Sequence, residues 1–273
     1  MRHSILIAVR LLFLLGCLLL QSTTSPAETV AVRYREGVAH GFLVLRTQDG
    51  KSIADGESTQ ITQGNRVTTR VRFRFKDGSL YEQTTIFSQH DTFRLLSDRV
   101  LQKGPTFNRS METVIDATSG LVTVRYTEDG KEKVLTERLK LPPDVANGIL
   151  FTLLKNVPRD APKATVSYVA ATPKPRVVHL EVTSRGRELF TIGSYRHKAI
   201  HYVVKVKIGG IAGVVAPLVG KPPPDIQVWV LGDDVPAFIR SDGPLYGDGP
   251  IWRMELAIPA LWPDSKAAPR SPK

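Results

Sequence analysis

RVTTRVRFRFKDG, residues 66–78, is the stretch whose reading decides the fold. Val67, Val71, Phe73 and Phe75 fall on one face of an extended chain, and Arg66, Arg70, Arg72, Arg74 and Lys76 fall on the other. This period of two is the mark of a strand with one buried and one solvated face. Asp77-Gly78 then supplies a hairpin turn, as Asp49-Gly50 and Asp129-Gly130 do elsewhere. Val122, Val124 and Tyr126 repeat the alternation, as do Ile200, Tyr202, Val204, Val206 and Ile208, and finally Trp252, Met254, Leu256 and Ile258. Many strands joined by tight turns predict a mainly β fold, an antiparallel sheet curled into a half-barrel, with a two-sheet sandwich as the alternative.

One segment breaks the alternation. Pro142 and Pro143 end the preceding strand, Asp144 is a candidate N-cap, and Pro158 stops a helix predicted over residues 145–157. Its apolar residues cover more than one face, so it should be buried nearly all round and pack on the concave face of the sheet. Ile149, Leu150, Phe151, Leu153 and Leu154 are then the candidate lining of an apolar cavity. A second uncharged stretch, Ile208 to Gly220, is too short to span a bilayer, and its glycines and Pro217 disfavour a central strand. It reads as an apolar loop at the rim, where Val214, Val215 and Leu218 would complete the lining. Residues 263–273 are polar and proline-rich and read as a disordered tail, which leaves 28–262 as one β-rich domain.

The beginning of the chain carries an address. Arg2 and Arg10 flank a basic start, Leu11 to Leu20 is continuously apolar, and Ser25-Pro26-Ala27 is a small-residue exit. These are the parts of a cleavable secretory signal over residues 1–27. Two rivals are an uncleaved anchor and a lipobox that would lipidate Cys17, although cleavage there leaves three leucines after the cut. Removal of 1–27 takes away the one cysteine of the chain, so thiol chemistry and disulfides drop out. A disulfide-free exported protein fits the periplasm or cell envelope of a bacterium. The formal charge of +11 falls only by the two arginines of the signal. Such a chain is drawn to anionic surfaces, so peripheral contact with an anionic membrane is expected. No basic run suggests nucleic acid.

Catalytic signatures are missing. There is no nucleophile elbow, no phosphate-binding loop and no dinucleotide fingerprint, so no cofactor is implied and the reading leans against an enzyme. His197 and His201 stand four apart, but on a strand that spacing separates them by about 13 Å, which does not make a metal pair. Asp233, Asp234, Asp242 and Asp248 lie among glycines and read as turn chemistry between late strands, without the spacing of a calcium loop. His40, His90-Asp91 and His179 have no nucleophile paired with them in the sequence. Asn108-Arg109-Ser110 is a glycosylation sequon. The arginine face at Arg70, Arg72 and Arg74 reads first as a solvated outer wall, and otherwise as a track for anionic headgroups.

The closing pattern V-W-V-L-G-D-D (228–234) and P-I-W-R-M-E-L (250–256), with the helix at 145–157, resembles an uncharacterised family of bacterial exported proteins. The shape is also similar to the LolA/LolB-like lipoprotein carriers, half-barrels with an apolar interior under a helical lid. The first resemblance implies a domain of unknown function and no site residues, and the second implies only a shape. Two functions follow as expectations. One is a non-enzymatic envelope module that binds or carries a lipid or other apolar small molecule. The other is an assembly partner that docks on an envelope protein through a strand edge or the apolar loop. A hydrolase of envelope polymers is a weaker third.

Overall fold

The computed structural model describes residues 29–158, 161, 163–171, 174–192, 195–207, 223–232, 235–247 and 249–257. The expected signal at 1–27, the rim loop at 208–220 with Val214, Val215 and Leu218, and the tail at 263–273 lie outside the described residues. The strands run in chain order as β1 (Ala39–Arg46), β2 (Ser52–Gln63), β3 (Arg66–Phe75), β4 (Leu80–Gln89), β5 (Phe93–Lys103), β6 (Met111–Asp116) and β7 (Leu121–Glu128). They continue as β8 (Lys131–Arg138), β9 (Lys163–Ala170), β10 (Arg176–Ile192), β11 (Tyr195–Lys207), β12 (Ile226–Leu231), β13 (Phe238–Pro244) and β14 (Ile251–Leu256). A helix α1 (Leu150–Asn156) stands between β8 and β9.

Among the described residues these fourteen strands form one antiparallel sheet in the order β8-β7-β6-β5-β4-β3-β2-β1-β14-β13-β12-β11-β10-β9. The half-barrel reading holds and the sandwich does not, because β1 pairs with β14 and joins both halves into one ladder. Neighbours in the order are neighbours in sequence except at that junction. At the hairpin of β7 and β8, Asp129 and Gly130 have φ of 52° and 72°, the left-handed pair that matches strand twist.

The sheet curls without closing, and the chain that links its two edge strands fills the gap. Residues of β3 to β7 (Val67, Phe87, Leu95, Ile115, Val124) and of β9 to β12 (Val166, Leu180, Val204, Val230) meet in one core around Val145, Ala146, Ile149, Leu153 and Leu154 of the linker and helix. Asp144, Ala146 and Asn147 then serve β9 as a substitute neighbour. Asp144 Oδ2 accepts the Ser167 N–H at 2.8 Å, the Ala146 N–H donates to the Ser167 carbonyl at 2.8 Å, and the Asn147 amide bonds both the N–H and the carbonyl of Val169. A buried edge strand thereby satisfies its outward backbone groups, which would otherwise be costly.

This corrects the predicted helix. It covers 150–156 rather than 145–157, because Gly148 takes a φ of 69° and Val145 forms a parallel bridge with Ser167. Asp144 is not its N-cap. That position is Ile149, with no side-chain cap. A seven-residue helix is not stable alone; it is held by burial of Leu153 and Leu154 and by Asn156. Asn156 is fully buried, and its Oδ1 accepts the N–H groups of Arg33 and Tyr34 at 2.9 and 2.7 Å. Lys155 pairs with Glu36 on the same N-terminal segment.

A second apolar cluster meets the first at Phe238, which packs against both. Leu43, Leu45, Ala54, Phe73, Phe75, Tyr81, Phe107 and Trp252 form it. Phe75 stands edge-on to Phe107 at 5.5 Å, and Tyr246 meets Phe107 at 5.1 Å and Trp252 at 5.9 Å. The interior therefore has a helical plug and an aromatic plug.

Candidate interior binding site

Strand register places three rows of side chains on the inner wall of β3 to β6. Phe73, Tyr81, Gln102 and Met111 are cross-strand neighbours in one row. Val71, Gln83, Val100 and Thr113 form the next, and Thr69, Thr85, Asp98 and Ile115 the third. In the outer two rows Phe73, Tyr81, Gln102, Thr85, Asp98 and Ile115 are all buried. In the middle row Thr113 is buried too, but Val71, Gln83 and Val100 remain partly accessible although they point inward from central strands, as do Thr69 and Met111 at the ends of the outer rows. Val71 and Val100 pack on the edge of the aromatic cluster. Gly148, in the linker over the third row, is exposed while residues 144–147 and 149 around it are buried. An inward-facing group keeps accessibility only where its cover is incomplete, so this level of the wall is covered less fully than its neighbours Tyr81, Gln102, Thr85 and Asp98.

The wall at this level is polar. Asp98 is 2% exposed and accepts hydrogen bonds from Thr85 Oγ1 at 2.7 Å and from Gln83 Nε2 at 3.0 and 3.1 Å. Tyr81 donates its hydroxyl to Gln83 at 3.2 Å. No cation pairs with Asp98 among the described residues. Burial pushes its carboxyl up to about 6, against the opposing pull of Thr85 and Gln83. Tyr168 of β9 is pushed up to about 12, first by burial and then by the Asp98 charge. Tyr81 is raised for the same two reasons in the same order. Gln102 turns its Nε2 to the Arg109 carbonyl at 3.3 Å, leaving Oε1 buried without a donor, and Thr113 Oγ1 is buried and unpartnered as well.

The predicted lining divides. Ile149, Leu153 and Leu154 are 1%, 3% and 1% exposed within the first core cluster. Leu150 and Phe151 are partly buried, and Phe151 meets Phe238 at 4.6 Å between ring centres. Asp98 and Gln102 escaped the sequence reading for a definite reason. A bulge in the β4–β5 pairing lies between Ile86 and Phe87, so β5 faces inward at Phe93 and Leu95 and then at Asp98, Val100 and Gln102. Simple alternation carried past Leu95 puts Asp98 on the outside. The Asn147-Gly148 dipeptide, a turn signal, was the available hint that the helix starts later.

Outside, the arginine face is present and two glutamates lie within it. Glu82 accepts Arg70 at 2.9 Å and Arg72 at 2.8 Å, Arg99 reaches Glu112 at 2.7 Å, and Arg125 reaches Glu112 at 3.2 Å. The result is a ladder of alternating charge from β3 to β7. Asp242, expected in a turn, is instead inside β13, where register sets it beside Arg253 and it accepts both Arg240 and Arg253. Trp229 is clasped by His201, stacked at 4.5 Å and 10°, and by the Arg240 guanidinium at 4.5 Å from the ring, while its indole N–H donates to Glu188 at 2.8 Å. His201 is further engaged by Glu188 at 2.8 Å and Gln227 at 2.7 Å, so its ring is occupied in the wall. His40 and His90 meet Glu57 and Asp91 at the surface, and the sequon at Asn108 is exposed.

No helix among the described residues is long and apolar enough to cross a membrane. Neither the family models nor the curated proteins match the sequence. Among solved structures, a β-barrel-like protein of a domain of unknown function, DUF1849, from Brucella abortus is similar, at 12% identity and a TM-score of 0.46. The match covers 82% of this chain and 97% of that one.

Proposed function

We propose that this domain is a non-enzymatic binding module of a bacterial cell envelope that holds a lipid-like small molecule inside its curled sheet. The observation that carries the reading is the half-open inner row Val71–Gln83–Val100 between two closed apolar plugs. Ligand sites of this kind combine an apolar lining with a few placed polar groups. Val71, Val100 and Met111 supply the first, and Gln83, Asp98, Gln102 and Thr113 the second. The reading needs no reaction: the interior acid is held by Thr85 and Gln83 rather than set against a nucleophile or a base.

The assembly reading has less behind it. The edge strand β8 is largely exposed, and Val134 on it is 54% exposed. Yet Lys131, Glu132, Lys133, Glu137 and Arg138 spread charge along it, which discourages strand addition.

Titration of the purified protein with an apolar dye that brightens on burial tests the binding reading. A saturable site of unit stoichiometry is expected, displaced by long-chain amphiphiles below their micellar range and lost in the doubly filled variant Val71→Trp, Val100→Trp. Absence of a saturable site, or binding unchanged by filling the row, overturns it.

A further inference from the structure

The two edges of the sheet are finished differently. The edge of β9 is taken up by Asp144, Ala146 and Asn147, whereas among the described residues no strand continues the sheet beyond β8. The Leu139 N–H, just past β8, donates to the Gly120 carbonyl at 2.8 Å. By the alternation of an antiparallel ladder the odd residues of β8 therefore bond to β7, and Glu132, Val134, Thr136 and Arg138 turn their backbone groups to the open side. All four are exposed, Val134 at 54%. Lys133 pairs with Glu128. Glu132, Glu137 and Arg138 form no ion pair among the described residues, and Arg138 donates instead to the Ser119 carbonyl at 2.6 Å. Such a row of free backbone donors and acceptors is a template for another strand, and charge along it turns away strands that do not match.

We infer that this edge joins two copies of the chain, β8 against β8 about a two-fold axis at Leu135. Antiparallel pairing across a dyad sets an outward-bonding residue opposite another, so the axis falls at a residue and not between two. Few positions keep most of the strand in register. An axis at Lys133 opposes lysine to lysine. One at Val134 leaves Glu132 opposite Thr136 and Lys133 opposite Leu135, and one at Thr136 leaves Arg138 opposite Val134 and Glu137 opposite Leu135. The axis at Leu135 sets Glu132 opposite Arg138 and Lys133 opposite Glu137, twice each, with Val134 opposite Thr136 and Leu135 opposite its own copy. Opposed residues share a face, so Glu132–Arg138 pairs flank Val134 on the convex side. Lys133–Glu137 pairs flank Leu135 on the concave side, where Leu135 stands beside buried Val124. The acids and the arginine left unpaired in one copy thereby find partners in the other. The inference is independent of the interior-binding reading.

Sedimentation equilibrium of the purified protein over a range of concentrations tests the inference. A monomer–dimer equilibrium is expected. Val134→Pro should abolish the dimer with circular dichroism unchanged, because the N–H it removes faces away from β7. Glu132→Arg should raise the dimer dissociation constant about tenfold or more by turning attractive pairs repulsive, and Glu132→Arg combined with Arg138→Glu should restore it. In a Cys17→Ser background, Leu135→Cys should cross-link to its own copy on oxidation, since residues opposed without mutual hydrogen bonds bring their backbones within reach of a disulfide. A monomer at every concentration, or a dimer that Val134→Pro leaves intact, overturns the inference. A dimer that Leu135→Cys does not cross-link, or that the charge swap does not restore, overturns the register at Leu135.

Discussion

Gly148 lies against the carboxylate of Asp98: a β-carbon on the glycine would stand 2.6 Å from Asp98 Oδ1, and the residue has a φ of 69°. The linker that plugs the sheet thus touches the wall at the buried acid. Gly148→Ala adds left-handed backbone strain to a collision with Thr85 and Asp98. We expect a loss of about 2–4 kcal/mol in stability, read from the urea midpoint at unchanged slope. Unchanged stability would mean that the linker does not seat here.

Asp98 makes stability depend on pH in an unusual direction. Its folded pKa is about 6, above the ordinary 3.8, and its hydrogen-bond partners among the described residues, Thr85 and Gln83, are neutral. Between those values the folded protein binds the extra proton, so this group's contribution falls as pH rises through the window. Above it the ionised acid costs up to roughly 3 kcal/mol. Asp98→Asn should therefore gain stability relative to wild type at neutral pH, and the gain should vanish below the ordinary carboxylate range. Parallel urea titrations across this range check the sign.

Glu82 works the other way. Burial pushes its carboxyl up, but Arg70 and Arg72 outweigh this and hold it below its ordinary value. Its contribution is present above the ordinary carboxylate pKa and is lost as pH falls through the lowered one. Because the arginines are half open to solvent, Glu82→Gln should cost about 1 kcal/mol or less, diminishing with added salt. A large, salt-independent loss would argue against a solvated ladder.

Asp144 and Asn147 stand in for a fifteenth strand beside β9. Asp144→Ala orphans the buried Ser167 N–H, at an expected cost of about 1–3 kcal/mol. Hydrogen exchange is the sharper readout, because the Ser167 amide should lose protection in Asp144→Ala and the Val169 amide in Asn147→Ala. Protection retained at both positions contradicts the edge-capping role.

The sheet was legible in the sequence because period-two alternation survives wherever register is regular. Val67, Phe73 and Phe75 are buried as their spacing requires, while Arg70 and Arg74 are exposed. The site was not, because it depends on an interruption. The bulge opposite Ile86 turns Asp98 inward, and no one-strand pattern reveals a two-strand irregularity. The helix was visible as a break in alternation, but its start was misplaced, since Asp144 spends its carboxylate on β9, a contact that only the fold creates. Asp242 looked like turn chemistry among glycines and became a strand residue because two arginines reach it across β13 and β14.

Native mass spectrometry of the purified protein mixed with a single-chain neutral amphiphile such as dodecanol tests the central claim most directly. The account predicts a one-to-one adduct that survives gentle activation and disappears in Val71→Trp, Val100→Trp. An unshifted mass at saturating amphiphile, or an adduct that the filled variant retains, would contradict it.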